Sequence, residues 1–161
     1  MKILSIDQST TSSGYCIMEI FPDNTYELLS YGLYKPKGDV EERILDTCNF
    51  FSDVIKKENI KLCVLENVQS QSNPSTFRLL AMLLGALIEM IDVNGSEYVI
   101  VAPSTWRKIL PTKRGMKRKE LKALSKQYVL DEFKITVNDD ISDSICIGIW
   151  FCHYYGCDHF N

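Results

Sequence analysis

The 161-residue chain predicts one α/β domain, residues 1–161, built on a mixed five-stranded sheet flanked by helices. Three observations carry this expectation. Five short apolar or alternating runs have strand length, and four longer stretches repeat their apolar residues at helical spacing. The elements follow the order β-β-β-α-β-α-β-α-α, with short links among the first three strands and helices between the later ones. That order suits an antiparallel meander continued by parallel crossovers. No internal repeat and no linker divides the chain.

Each element has its own warrant. "KILSID", residues 2–7, is β-branched and aliphatic and reads as a short buried strand. A polar turn leads to a second strand in "SSGYCIMEIF", and "PDN" turns the chain into a third, "TYELLSYGLY". "PKGDV" ends the meander. The following stretch places Val40, Ile44, Leu45, Cys48, Phe51, Val54 and Ile55 on one helical face. "IKLCVLE" is a buried strand that stops on Glu66. A helix then starts at Pro74, with Ser72 or Asn73 as its cap. "EYVIVAP" is the fifth strand, stopped by Pro103. "KRKELKALSKQYVLDEF" is an amphipathic helix, and "DDISDSICIGIWFCHYY" is the last helix.

The helix from Pro74 to Ile91 is apolar almost all round. Phe77, Leu80, Leu84, Leu87 and Ile91 form one stripe, and Leu79, Met82, Leu83, Ala86 and Met90 fall outside it. A second stripe calls for a second partner, either another part of the monomer or another subunit. The expectation is a homodimer, with Phe77, Leu80, Leu83, Leu84 and Leu87 at its interface.

No signal-peptide pattern opens the chain, and the run "LLAMLLGALIEMI" is too short to span a bilayer. A soluble cytoplasmic protein with no membrane contact is expected. The six cysteines include no CxxC pair, and five lie in apolar or strand-like segments, as buried free thiols do. The tail brings Cys152, His153, Cys157 and His159 close in sequence. Its spacing is unusual for zinc, so ordinary thiols in a reducing compartment are the favoured reading. The net charge of −3 is unevenly spread. Pro103 to Lys126 holds nine bases and one acid, Glu120, whereas the rest holds nine bases and twenty acids. Such asymmetry suits either a polyanion-facing patch or a solvated lysine-rich face.

Four acids mark element ends. Asp7 closes the first strand within the run "IDQSTTSSG", and Glu66 closes the fourth. Asp140 and Asp143 share a face at the start of the last helix, three residues apart. A carboxylate at a buried strand end needs a partner, which can be a metal, a metal-bound phosphate or the N–H groups of a turn. Parallel neighbouring strands would bring Asp7 and Glu66 to one sheet edge, and a helix start packed there would add the other two. Four such charges repel, and hard divalent cations relieve that repulsion. Two ions about 4 Å apart are the arrangement that hydrolyses phosphodiesters.

The chain resembles the RuvC-type Holliday-junction resolvases of the RNase H-like superfamily, and in particular their short phage members. The resemblance spans essentially the whole sequence and rests on "ILSIDQSTTSSGY", "VLENV", "APSTWRK" and "DDISDSICIG", the last matching a D-x-x-D-[AS] pattern. It implies that Asp7, Glu66, Asp140 and Asp143 bind two Mg²⁺ ions per active site, with Mn²⁺ as a substitute. Asp7 would bridge both ions. It implies a homodimer that nicks branched DNA, a four-way junction or a fork, symmetrically. No nucleotide cofactor is involved. Arg107 matches the family's basic residue after the "AP" strand. Lys117, Arg118 and Lys119 all suit the family's lysine near the next helix start. Lys108, Lys113, Arg114 and Lys122 complete the expected DNA contacts.

One departure concerns Gln69, which stands where family members often carry an aromatic residue that stacks on an opened base. Stacking contributes about 1–3 kcal/mol per base, so looser branch specificity is expected. Three rival readings are a non-catalytic branched-DNA scaffold, a structured-RNA nuclease of the same fold, and a sugar-kinase-like phosphate loop. The chain is too short for the two domains that the last requires.

Overall fold

The structure, a computed structural model, describes residues 1–69 and 73–155. Five strands form one sheet in the order β3-β2-β1-β4-β5. They are β1 (Lys2–Asp7), β2 (Ser13–Ile20), β3 (Tyr26–Tyr34), β4 (Leu62–Glu66) and β5 (Glu97–Val101). β1 pairs antiparallel with β2 and parallel with β4, and β4 pairs parallel with β5. The chain direction therefore switches at β1. The carboxyl ends of β1 and β4 share an edge, which is where open α/β sheets form their crevices.

Strands buried on both faces read as unbroken apolar runs, and β1 shows why. Ile3 packs with Met18, Val64 and the last helix, whereas Leu4 and Ile6 pack with Phe51, Leu65 and Leu83 on the opposite face. The first layer holds α4 (Arg118–Phe133) and α5 (Asp139–Tyr155), and the second holds α1 (Val40–Glu58) and α2 (Pro74–Val93).

Helix starts follow local chemistry. Asp39 caps α1 in a reciprocal box with Glu42, and Asn73 caps α2 through the Ser75 amide ahead of Pro74. At α5 the Asn138 side chain accepts from the Ile141 amide at 2.9 Å. α5 is the central helix, with every residue from Ser142 to Cys152 buried. Gly148 permits its close approach to the sheet, since a Cβ there would lie 2.9 Å from Ser5 Oγ and Met18 Sδ. Ser5 Oγ donates to the Ser144 carbonyl at 2.7 Å across that contact.

Two expectations need correction. The sequence predicts a plain strand stop at Pro103. The structure instead has a four-residue helix, α3 (Pro103–Trp106), followed by a 3-10 turn at Arg107–Ile109. Four residues are too few to show a helical period. The stripe assignment on α2 also shifts. Leu83, Leu87 and Ile91 form its buried stripe, so Leu83 and Leu87 belong to the subunit's own core and offer no interface surface. Phe77 and Met82 are 41% and 42% exposed and mark the outward face.

Among the described residues no helix is long and apolar enough to cross a membrane. Cys16, Cys48, Cys63, Cys146 and Cys152 are free thiols, and burial pushes Cys152 up to about 12. Cys157 and His159 lie outside the described residues.

Candidate active site

The shared edge of β1 and β4 opens into a cleft of about 760 Å³ that contains all four acids. Asp7 and Glu66 arrive from the two strand ends, and Asp140 and Asp143 from the first turns of α5. The hydroxyl-rich loop from Ser9 to Ser12 forms one rim. Val68, Gln69, Thr76, Leu79 and Leu80 line another, and Arg107, Arg118 and Lys122 supply positive charge.

Asp7, Glu66 and Asp143 sit in surroundings that oppose ionisation. Asp7 is raised well above the ordinary carboxylate range, first by burial and then by the charges of Glu66, Asp143 and Asp140, with Lys122 acting against them. Burial also raises Glu66, whereas the Trp106 hydrogen bond, Arg107 and Arg118 favour its charged form. Asp143 is raised by burial, against the Ser125 hydrogen bond, Arg107 and Lys122. Its Oδ1 is buried with no hydrogen-bond partner. As the side chains stand, no three His, Cys, Asp or Glu donors among the described residues are gathered closely enough to hold one ion. Mutual repulsion of like charges works against a tighter cluster.

Glu66 and Asp140 are held by different devices. Trp106 Nε1 donates to Glu66 Oε1 at 2.8 Å, and the indole is fully buried, so Trp106 belongs to the core and supports Glu66 from it. Gln8 Nε2 donates to the Glu66 carbonyl, and the Glu66 amide donates to Gln8 Oε1 at 3.2 Å. Ser12 Oγ donates to Asp140 Oδ2 at 3.2 Å. Lys122 Nζ stands 3.7 Å from Asp140 and 3.5 Å from Asp139, and Lys126 pairs with Asp139 at 2.9 Å.

The basic residues divide. Arg107, Arg118 and Lys122 reach the cleft, as does Gln69. Lys119 lines a neighbouring groove with Arg118, Lys122 and Lys126. Lys108, Lys113, Arg114 and Lys117 line neither. Among the three candidates at the α4 start, Arg118 is therefore the one facing the acids. Leu80, expected at a subunit interface, lines the cleft. Sequence reasoning misses Gln8, Ser12 and Trp106 as partners of the acids, although the strand-end position of Gln8 beside Asp7 is a usable signal.

Comparison with known proteins identifies relatives of the chain as a whole. A family profile described as "Crossover junction endodeoxyribonuclease RuvC" matches residues 3–153. The crossover junction endodeoxyribonuclease RuvC of Campylobacter lari is 28% identical over 151 residues, covering 92% of this chain and 94% of that protein. Thermus thermophilus RuvC in complex with Holliday junction substrate superposes with a TM-score of 0.76 at 13% identity, covering 97% and 98% of the two chains. Fowlpox virus resolvase, solved with Holliday junction DNA, superposes with a TM-score of 0.64 at 16% identity, covering 95% and 97%.

Proposed function

The chain belongs to the RuvC family of crossover junction endodeoxyribonucleases, and from that premise we propose that its acidic cleft hydrolyses phosphodiesters at the branch point of four-way DNA junctions. The observation that carries this reading is the gathering of half-buried Asp7 and Glu66 with buried Asp143 in one cleft, in surroundings that disfavour their charges, opposite Arg107, Arg118 and Lys122. A purely structural cluster of this kind would be costly to keep.

The donor set fits a hard divalent cation. It is all carboxylate oxygen, and Asp143 Oδ1 is a buried acceptor without a donor. Asp7, Glu66, Asp140 and Asp143 would hold Mg²⁺ or Mn²⁺, which when bound activates water and neutralises charge on the phosphate. The chain's own groups then have separate tasks. Arg107, Arg118 and Lys122 draw the DNA backbone to the acids and offset its charge. Lys122 is already paired with Asp140, so phosphate and carboxylate compete for it. The polar rim from Ser9 to Ser12 offers hydroxyl donors to phosphate oxygens. The exposed apolar face of α2 supports a homodimer with one cleft per subunit.

A mobile synthetic junction, labelled on each strand in turn, tests the reading in Mg²⁺ and in EDTA. Paired, symmetric, metal-dependent nicks are expected. Tight binding without cleavage in Mg²⁺ or Mn²⁺ would overturn the assignment in favour of a scaffold, and cleavage of structured RNA alone would overturn the choice of substrate.

A further inference from the structure

Glu66 is gripped at two points by residues outside the acidic set. Where β1 leaves the sheet, its ladder with β4 ends at the pair Ile6 and Leu65. The next rung is made by a side chain. The carboxamide of Gln8 carries the same donor and acceptor as a peptide group. It bonds both the carbonyl and the amide of Glu66. Gln8 is buried despite being polar. It follows Asp7 directly, so this rung ties the two strand ends that carry Asp7 and Glu66. On the side chain, the Trp106 indole engages Oε1 at 2.8 Å. Among the described residues Oε2 has no hydrogen-bond partner. The short α3 helix turns Trp106 into the core and leaves Arg107 in the cleft.

We infer that Gln8 and Trp106 are positioning residues that clasp Glu66 by its main chain and by Oε1, and so present Oε2 as its one oxygen for a divalent cation. The inference rests on the metal reading above and adds two residues that contribute no carboxylate. Partners of this kind, which orient a ligand without touching the ion, typically change metal affinity about 10- to 100-fold when removed.

The test uses the full chain, without DNA, and Mn²⁺ alone as the probe, reading the rise in Tm across an Mn²⁺ titration. Gln8→Met keeps the length and loses both hydrogen bonds. Trp106→Phe keeps an aromatic ring in the core and loses only the indole N–H. Each is expected to need about 10- to 100-fold more Mn²⁺ than wild type for half the Tm rise. Junction binding in EDTA should stay unchanged, and cleavage should recover as Mn²⁺ is raised. Gln8→Met is decisive if Trp106→Phe fails to fold. A wild-type Mn²⁺ midpoint in Gln8→Met overturns the clasp. No Mn²⁺ response in wild type, or an equal response in Asp7→Asn, overturns the metal reading instead.

Discussion

Gly14 lies so close to the start of α5 that a Cβ built on it would overlap the carbonyl of Asp140 and stand 2.8 Å from the Ile141 amide nitrogen. Gly14 is also the strand partner of Asp7 across the β1–β2 ladder. Strand and helix thus meet at the position where two of the acids must approach each other.

Gly14→Ala is therefore expected to push the first turn of α5 away from the sheet. The overlap is with backbone, which cannot swing aside as a side chain can. Overpacking of this kind costs about 1–3 kcal/mol. Junction cleavage should fall more than junction binding, because the basic residues on α4 are not in contact with Gly14. Thermal melts and paired binding and nicking assays check this. A variant with wild-type cleavage would show that α5 does not need this approach.

The raised carboxyls make stability depend on pH with a definite sign. Asp7, Glu66 and Asp143 hold their protons more tightly folded than unfolded. Between the ordinary carboxylate range, about 4, and the raised values, the native state binds more protons. Stability must then fall as pH rises through that window. In EDTA, Asp7→Asn should raise Tm by a few degrees at pH 7, and the gain should vanish below about pH 4. Added Mg²⁺ or Mn²⁺ should reverse the order, since a cation binding only the folded wild type stabilises it. Melts at several pH values, with and without metal, decide the sign.

The sequence reveals the acids and hides their supports, for a physical reason. Asp7 and Glu66 end apolar runs, and Asp140 and Asp143 are three residues apart at a helix start, so local pattern suffices. The hydrogen bonds from Gln8 and Trp106 to Glu66 span 58 and 40 residues and depend on strand register. Register is a tertiary property that no local window contains. Leu83 reads as outward from sequence for a related reason. On a helix that is apolar all round, periodicity alone cannot say which stripe meets the sheet.

That burial pattern separates two outcomes on α2. Leu83→Ala empties a fully buried position and is expected to cost about 2–5 kcal/mol. Phe77→Asp changes an exposed residue and should leave the fold nearly as stable. If α2 carries the subunit interface, Phe77→Asp should shift the protein from dimer to monomer in sedimentation equilibrium. Leu83→Ala should lower Tm instead. A Phe77→Asp protein that remains dimeric would put the interface elsewhere.

The basic residues should separate by their place relative to the acids. Arg118 faces the cleft, whereas Lys117 and Lys113 are exposed and line neither cavity. A variant that neutralises one phosphate fewer should show a slope of log affinity against log salt that is shallower by about 1. Arg118→Ala is expected to show that change, together with a drop in cleavage at saturating DNA, because its charge also favours the ionised form of Glu66. Lys117→Ala should leave cleavage at saturating DNA unchanged, whatever it does to the slope. Lys122→Ala differs again. It removes a phosphate partner but also frees Asp140 from its ion pair, whereas Asp139 keeps Lys126, so one more carboxylate is left facing the DNA. Its binding should therefore weaken more than that of Arg118→Ala, and the excess should shrink as salt screens the exposed charges. Binding isotherms between about 50 and 200 mM salt measure all three. Equal effects on cleavage in Lys117→Ala and Arg118→Ala would show that the DNA path does not follow the cleft.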